Sequence, residues 1–392
     1  MVSVLMCTYN RERYLKQAID SVLSQTYRDF EFIIVDDGST DDSEHIIKSY
    51  KDSRIRYFSL ERNSFYCYAA NYGLKQCIGE YVAFINSDDA WEPDKLEKQI
   101  AFMEENKEYG ACFTTVTLID NGNRDVTDEY PDMKELFEKQ CGTQKEYLYE
   151  LMKYSNFLCH PSAVVRKTVM DKVGGFNLMF CQLADWDLWI RIVSEFPIHV
   201  LNERLIQFRW DKSIKDQVSI ATVEHMIRHF NEEVLLKKYA LERLSDEMFK
   251  KCFGDTFKNK DSASHLELEF EKAFFLAGSL KENPELKVLG IEKLEQIMQM
   301  PGAMETLRGH FGMDIFDLYH WNKEHMYVTP WLMDEFHRKT QQLEQALQQA
   351  EAQRVQLVQQ VEEQKHLIET YANSTSWKVT EPLRRVMRMF KK

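Results

Sequence analysis

The sequence is short of the features that would place it in a bilayer, in an oxidising compartment or on nucleic acid. No apolar run approaches the roughly 18 residues that a helical membrane span requires. No C-x-x-C pair occurs among the eight cysteines. Cys7 and Cys112 lie inside apolar runs and read as reduced, buried thiols of a cytoplasmic protein. Cys159-His160 is the only Cys/His neighbour pair, and adjacent residues rarely share a metal, so no zinc site is expected. Basic charge is in deficit: 50 Lys and Arg face 63 Asp and Glu, a formal net charge of −13, which argues against a general nucleic-acid binder. A basic leader is missing ahead of strand-like Val2–Met6, so no secretory signal is expected.

What is present is length and regular alternation. The 392 residues suffice for two or three domains with real cores. Val2–Met6 predicts a first strand, closed by Cys7-Thr8-Tyr9-Asn10, with Asn10 placed to cap a helix over residues 11–26. Glu31–Val35 predicts a second strand ending in Asp36-Asp37-Gly38, where glycine permits a tight turn. Arg54–Leu60 is a third strand and residues 64–77 a helix containing Asn71. Tyr81–Ile85 is a fourth strand that stops at Asn86-Ser87-Asp88-Asp89. Strand and helix in alternation imply an α/β fold with a mostly parallel sheet. Ligands of such sheets bind outside the carboxyl ends of the strands. Hard oxygen donors there suit a divalent ion, and a divalent ion suits a diphosphate. Asp89, ahead of Pro93 at a helix start, is expected to be only a helix cap.

Ala111–Ile119 predicts a further strand, residues 120–145 a polar loop or insertion, and Pro161–Val165 another strand. A helix then begins at Asp185-Trp186-Asp187. Residues two apart diverge by about 200° on a helix, so only one of these carboxylates faces a given site.

These residues together resemble the inverting, nucleotide-sugar-dependent glycosyltransferases of family 2, which have the GT-A fold. The resemblance covers roughly residues 1–212. It rests on Val4–Glu12, on Val35–Asp41, on Gly79–Asp89, on Gly174-Gly175-Phe176 and on Asp185–Arg191, in that order. It implies that Thr8 and Tyr9 line the base and ribose pocket, with Asn10, Arg13 and Asn71 also on the donor side. Asp37 would hydrogen-bond a uracil- or thymine-type base, as in UDP or dTDP. Asn86-Ser87-Asp88 stands where the family has its D-x-D motif, so Asp88 would bind Mn²⁺ or Mg²⁺ and Asn86 and Ser87 would contact the donor. Arg209 would touch phosphate, Asp185 would be the general base, and His160 and Trp186 would lie on the acceptor side. A divalent ion neutralises a diphosphate leaving group without a proton, and a carboxylate on the opposite face takes the acceptor proton. Two departures, Asn86 for Asp and Ala184 for Glu, keep a catalytically weak scaffold subunit as the alternative. A sugar-nucleotide pyrophosphorylase is discounted, because no glycine-rich basic loop follows the first strand.

The expected domains are 1–213 (GT-A), 214–332 (α-helical), 333–372 (coiled coil) and 373–392 (basic tail). Met333, Phe336, Leu343, Leu347, Ala350, Leu357, Val361, Ile368 and Tyr371 form an imperfect heptad seam, which predicts a homo-oligomer or a coiled-coil partner. In the tail, Leu383, Val386, Met387 and Phe390 form a stripe among Arg384, Arg385, Arg388 and Lys391. That pattern predicts an anchor to an anionic membrane, and hence a peripheral protein at the inner face with a lipid-linked glycan acceptor.

Overall fold

The computed structural model describes residues 1–210, 223–279, 287–323 and 330–389. An eight-stranded sheet organises the first part. Its strands are β1 (Val2–Thr8), β2 (Phe30–Asp36), β3 (Ile55–Ser59), β4 (Tyr81–Asn86), β5 (Ala90–Trp91), β6 (Ala111–Ile119), β7 (Val164–Arg166) and β8 (Ile198–Arg209), in the order β3-β2-β1-β4-β7-β6-β8-β5. The first four neighbours are parallel; β7 runs antiparallel to both β4 and β6, and β5 antiparallel to β8. The sheet is therefore mixed, in an α/β arrangement of GT-A type.

Register decides where the chemistry sits. Thr8 aligns with Asp36 and Cys7 with Asn86, so the first, second and fourth strands all end at one edge. Period-two alternation splits the core. Val2, Val4, Met6, Phe32 and Ile34 pack on one face of the sheet, and Leu5, Ile33, Val35 and Phe84 on the other.

The helices of this part are α1 (Glu12–Leu23), α2 (Ser43–Ser49), α3 (Tyr66–Leu74), α4 (Lys95–Glu105), α5 (Pro131–Glu138), α6 (Gln144–Lys153), α7 (Lys167–Val173) and α8 (Ala184–Glu195). Leu15, Ala18, Ile19 and Val22 give α1 its buried stripe. Asn10 does not cap that helix: Arg11 holds the cap position, and Asn10 adopts left-handed φ of 51°. The α4 cap is Asp94, not Asp89. Residues 120–145 are not a plain loop, since α5 and the start of α6 lie there, the latter closed by a Thr143/Glu146 capping box.

Next come α9 (Val223–Arg243), α10 (Asp246–Phe253), α11 (His265–Phe274), α12 (Lys287–Ile297), α13 (Ala303–Gly309) and α14 (Ile315–Lys323). Leu236, Leu241, Phe249 and Phe253 belong to the same apolar cluster as Phe113 and Trp189 of the sheet region. Residues 1–324 form one compact unit. The expected boundary near residue 213 lies outside the described residues. Residues 325–392 form a second unit, carrying α15 (Pro330–Asn373), α16 (Thr375–Val379) and α17 (Glu381–Met389).

Candidate active site

The ends of β1 and β2 are tied together by backbone and side chain. The Asp37 amide donates to the Thr8 carbonyl at 2.8 Å. Asp37 Oδ1 accepts from the Ser64 amide at 2.8 Å. Burial pushes the Asp37 carboxyl upward, and the Ser64 and Phe65 amides oppose that. Gly38 has φ of +76°, and a Cβ there would meet Arg62 backbone at 2.7 Å, so both conformation and space require glycine. Asn10 Oδ1 accepts from the Thr40 amide at 2.8 Å, stapling the two turns. Thr8 is buried, and its hydroxyl has no partner among the described residues. Tyr9 is 38% exposed at the same edge.

At the end of β4 the two carboxylates have different roles. Asp89 is buried, accepting the Arg209 amide at 2.7 Å on Oδ1 and the Asn86 side-chain amide at 2.9 Å on Oδ2. It fixes β8 to the turn, and Asn86 spends its amide hydrogen on this inward bond. Ser87 is buried. Asp88 is left with a 24% exposed side chain and Arg11 Nε 3.7 Å from Oδ2. Burial raises its carboxyl, and the Arg11 guanidinium opposes that. Arg11 rather than Arg13 is the cation at this carboxylate; Arg13 is exposed and lies 5.2 Å from the Tyr14 ring centre.

Arg209 is 3% exposed and fully engaged in structure. It donates to the carbonyls of Asp88 (2.8 Å) and Asp120 (2.6 Å) and to the side chains of Gln17 (2.9 Å) and Asn123 (2.7 Å). Each nitrogen of its guanidinium makes a bond within the protein. Asn71 is also committed: its amide donates to the Phe176 carbonyl and its oxygen accepts the Phe176 amide, both at 2.8 Å. A Cβ at Gly175 would stand 2.2 Å from Asn71 Oδ1, so the Gly-Gly-Phe stretch seats on this asparagine instead of on a ligand.

The third wall is the first turn of α8. Asp187 is buried and paired with Arg191 at 2.8 Å. Asp185 is partly exposed; Oδ2 accepts from Asn156 Nδ2 at 2.9 Å and Oδ1 from the Trp186 amide at 2.8 Å. Burial pushes its carboxyl up to about 6, against these donors. Both Asp185 and Asp89 lie within electrostatic reach of Cys159, so α8 and the end of β4 converge on one place. The neighbouring His160 is part of an aromatic cage. Its Nε2 lies 2.6 Å from the Tyr66 hydroxyl, and its ring packs on Phe84, Phe176 and Trp189 at 5.0 to 5.8 Å. Burial lowers the imidazole to about 3, which keeps it neutral. Trp186 is buried, with Nε1 donating to the Leu151 carbonyl at 3.0 Å. Trp186 is thus committed to the core, while His160 stays partly exposed within its cage.

Two residues were not foreseen from sequence. Asn156 lies in a loop without any motif. Glu232 of α9 is buried and accepts the backbone amides of Cys181 (2.8 Å), Gln182 (2.8 Å) and Leu183 (2.9 Å), fixing the chain that leads into Asp185. Elsewhere, Asp246, His265 and Glu269 cluster within 4.8 Å. Lys272 lies 3.4 Å from Asp246 and 2.8 Å from Glu269, so this is an ion-pair network already neutralised by lysine.

The mixed sheet, with its acidic strand ends, is of the GT-A class. Residues 3–174 match the family described as Glycosyl transferase family 2. An uncharacterised glycosyltransferase of Methanocaldococcus jannaschii is 34% identical over 215 residues, covering 53% of this chain and 70% of that protein. The O-antigen biosynthesis glycosyltransferase WbnJ of Escherichia coli is 31% identical over 220 residues, covering 54% of this chain and 75% of that protein. The crystal structure of S. aureus TarS 1-349 in complex with UDP-GlcNAc superposes with a TM-score of 0.52 at 20% identity, covering 78% of this chain and 85% of that one. The chain belongs to glycosyl transferase family 2.

Proposed function

We propose that the protein moves a sugar from a nucleoside diphosphate donor, UDP- or dTDP-linked, to an acceptor hydroxyl by a single displacement that inverts the anomeric centre. One observation carries this reading: Asp185 is the partly exposed carboxylate of its helix turn, held by Asn156 and poised at about 6. A base with that value is ionised at neutral pH yet basic enough to accept a proton. As the acceptor oxygen bonds to the anomeric carbon, its proton passes to Asp185 Oδ1 or Oδ2, and the bond from carbon to diphosphate breaks. The nucleoside diphosphate departs with the bonding pair.

The donor side of this reading rests on Thr8, Tyr9, Asp37 and Ser87. The hydroxyl of buried Thr8 has no hydrogen-bond partner among the described residues. Mn²⁺ or Mg²⁺ fits Asp88. Only one accessible carboxylate stands there, and such ions commonly bind one or two carboxylates and take their other ligands from phosphate and water. When bound, the ion would neutralise the diphosphate charge. Arg11 adds a fixed positive charge beside the same carboxylate.

The acceptor we infer is a lipid-linked surface glycan, supported by the E. coli relative named for O-antigen biosynthesis. Among the described residues no helix is long and apolar enough to cross a membrane. A peripheral position at the inner membrane face is supported by α17, where Leu383, Val386 and Met387 are exposed among arginines; Phe390 and Lys391 lie outside the described residues. A coiled-coil partner or second copy is supported by α15, whose Leu343, Leu347, Leu357, Val361, Ile368 and Tyr371 are exposed. The Met333 and Phe336 side chains lie outside the described set. The scaffold alternative is not favoured, since Asp37, Asp88 and Asp185 are all in place.

A thermal-shift panel of UDP, dTDP and GDP with and without Mn²⁺ tests the donor reading. Stabilisation by one nucleotide, enhanced by Mn²⁺ and weakened in Asp88→Ala, is expected; no response to any nucleotide overturns it. Liposome flotation with and without residues 374–392 tests the anchor, and sedimentation of a chain ending at 330 tests the oligomer.

A further inference from the structure

Phe65 combines a strained backbone with an exposed ring. Its backbone stands at φ 67° and ψ 159°, a region that is essentially reserved for glycine. Its side chain is 66% exposed, so the ring gains little burial. A bulky residue stays in such a conformation only where its surroundings over-determine it, and here they do. The Phe65 amide donates to Asn63 Oδ1 at 3.0 Å, and its carbonyl accepts from Tyr68 and Ala69 at 3.1 and 3.2 Å, opening α3. Just before it, Ser64 is bonded to Asp37 and Arg62 lies on Gly38. The whole segment is clamped onto the turn that ends β2.

That clamp sets the Phe65 backbone beside Asp37, whose charged form the Ser64 and Phe65 amides both favour. Asp37 is bonded to two other stretches of chain: its backbone amide donates to the Thr8 carbonyl, and its Oδ1 accepts from the Ser64 amide. One residue beyond Thr8 is Tyr9, and one residue beyond Ser64 is Phe65. Both are exposed aromatics, and neither packs on another ring among the described residues. A planar group hydrogen-bonded at its edge to Asp37 presents two faces. Aromatic stacking on such faces is favourable and tolerant of base identity.

We propose that Phe65 is a nucleotide-binding residue that stacks on one face of the donor's base while Tyr9 covers the other. Asp37 then reads the base edge, and Phe65 supplies affinity with little discrimination. This rests on the reading of the β1/β2 edge as the donor site.

The test is calorimetric titration of the wild type and of Phe65→Gly, Phe65→Ala and Phe65→Tyr with UDP, dTDP and GDP in Mn²⁺, together with nucleotide-free Tm. Phe65→Tyr is expected to keep wild-type affinity. Phe65→Gly and Phe65→Ala are expected to lose about 5- to 100-fold for the nucleotide that the wild type binds, the range of one lost base stack. Phe65→Gly relieves the backbone and is expected to melt above Phe65→Ala, so that its weaker binding cannot come from unfolding. Wild-type affinity in either truncated variant overturns the role of Phe65. A wild type that binds none of the three nucleotides overturns the donor site and this assignment with it.

Discussion

Asn156 Nδ2 donates to Asp185 Oδ2 across 2.9 Å, joining a motif-free loop to the first turn of α8. The bond favours the charged carboxylate and opposes burial, which by itself lifts the group further. Asn156→Ala is therefore expected to raise the Asp185 pKa above its value of about 6. Because the base acts deprotonated, the acidic limb of the kcat/KM profile should move to higher pH. An unchanged limb with normal folding would remove Asp185 from the role of base.

The same raised carboxyl has a stability consequence of opposite sense. A folded value of about 6 against about 3.9 in the unfolded chain means that the folded state holds the proton more tightly. Asp185 thus contributes stability below pH 4 that disappears as pH rises through 6. Asp185→Asn should melt above the wild type at pH 7.5, approach it near pH 4, and lose transfer while keeping donor binding. A lower Tm at pH 7.5 would show that the charged carboxylate is held by attractions stronger than its burial cost.

Glu232 is the helical region's direct hold on the catalytic turn. Glu232→Ala strips three charge-assisted bonds from the Cys181–Leu183 backbone, a loss on the order of 3 kcal/mol. Since that segment leads to Asp185 and not to the donor edge, kcat should fall more than donor affinity. Equal losses in both, measured by steady-state kinetics, would argue against a positioning role.

Arg209 separates structure from ligand binding in the other direction. Arg209→Lys cannot replace a fork that reaches two carbonyls and two side chains, so Tm should drop by several degrees. A phosphate ligand would instead lose donor affinity with its Tm intact, and calorimetry beside thermal melts distinguishes the two.

Lys95 at the start of α4 is fully buried, its ammonium 4.0 Å from the Trp91 ring centre and without a hydrogen-bond partner among the described residues. Burial lowers it to about 7. Between pH 7 and about 10.4 the unfolded chain holds this proton and the folded one does not, so stability rises with pH there. Lys95→Met should stabilise the protein most at or below pH 7, and the gain should shrink toward pH 10. A constant difference across that range would contradict the burial argument.

The sheet edge was legible because buried strands announce themselves by alternation and stop where polar residues begin. The polar strand ends Thr8, Asp36-Asp37 and Asn86–Asp89 follow from that rule, and the resemblance to family 2 is what singles out Thr8, Asp37 and Asp88 among them. The rule cannot say which way an amide or guanidinium turns, and Asn71, Asn86 and Arg209 all turn toward protein. It also missed α5, a short helix whose Met133, Leu136 and Phe137 recur at helical spacing but are only partly buried. Glu232 lay beyond its reach because a carboxylate caps a distant turn without any local pattern; only tertiary packing brings α9 to that place.

At about 1.5 Å per residue, the 44 residues of α15 make a rod of roughly 66 Å. Removing seven residues would shorten it by about 10.5 Å and rotate its far end by only about 20°, whereas removing four would shorten it by about 6 Å and rotate that end by about 40°. Span and rotational phase can thus be varied separately by deletion. The length of this helix is thus a property separable from the residues along it.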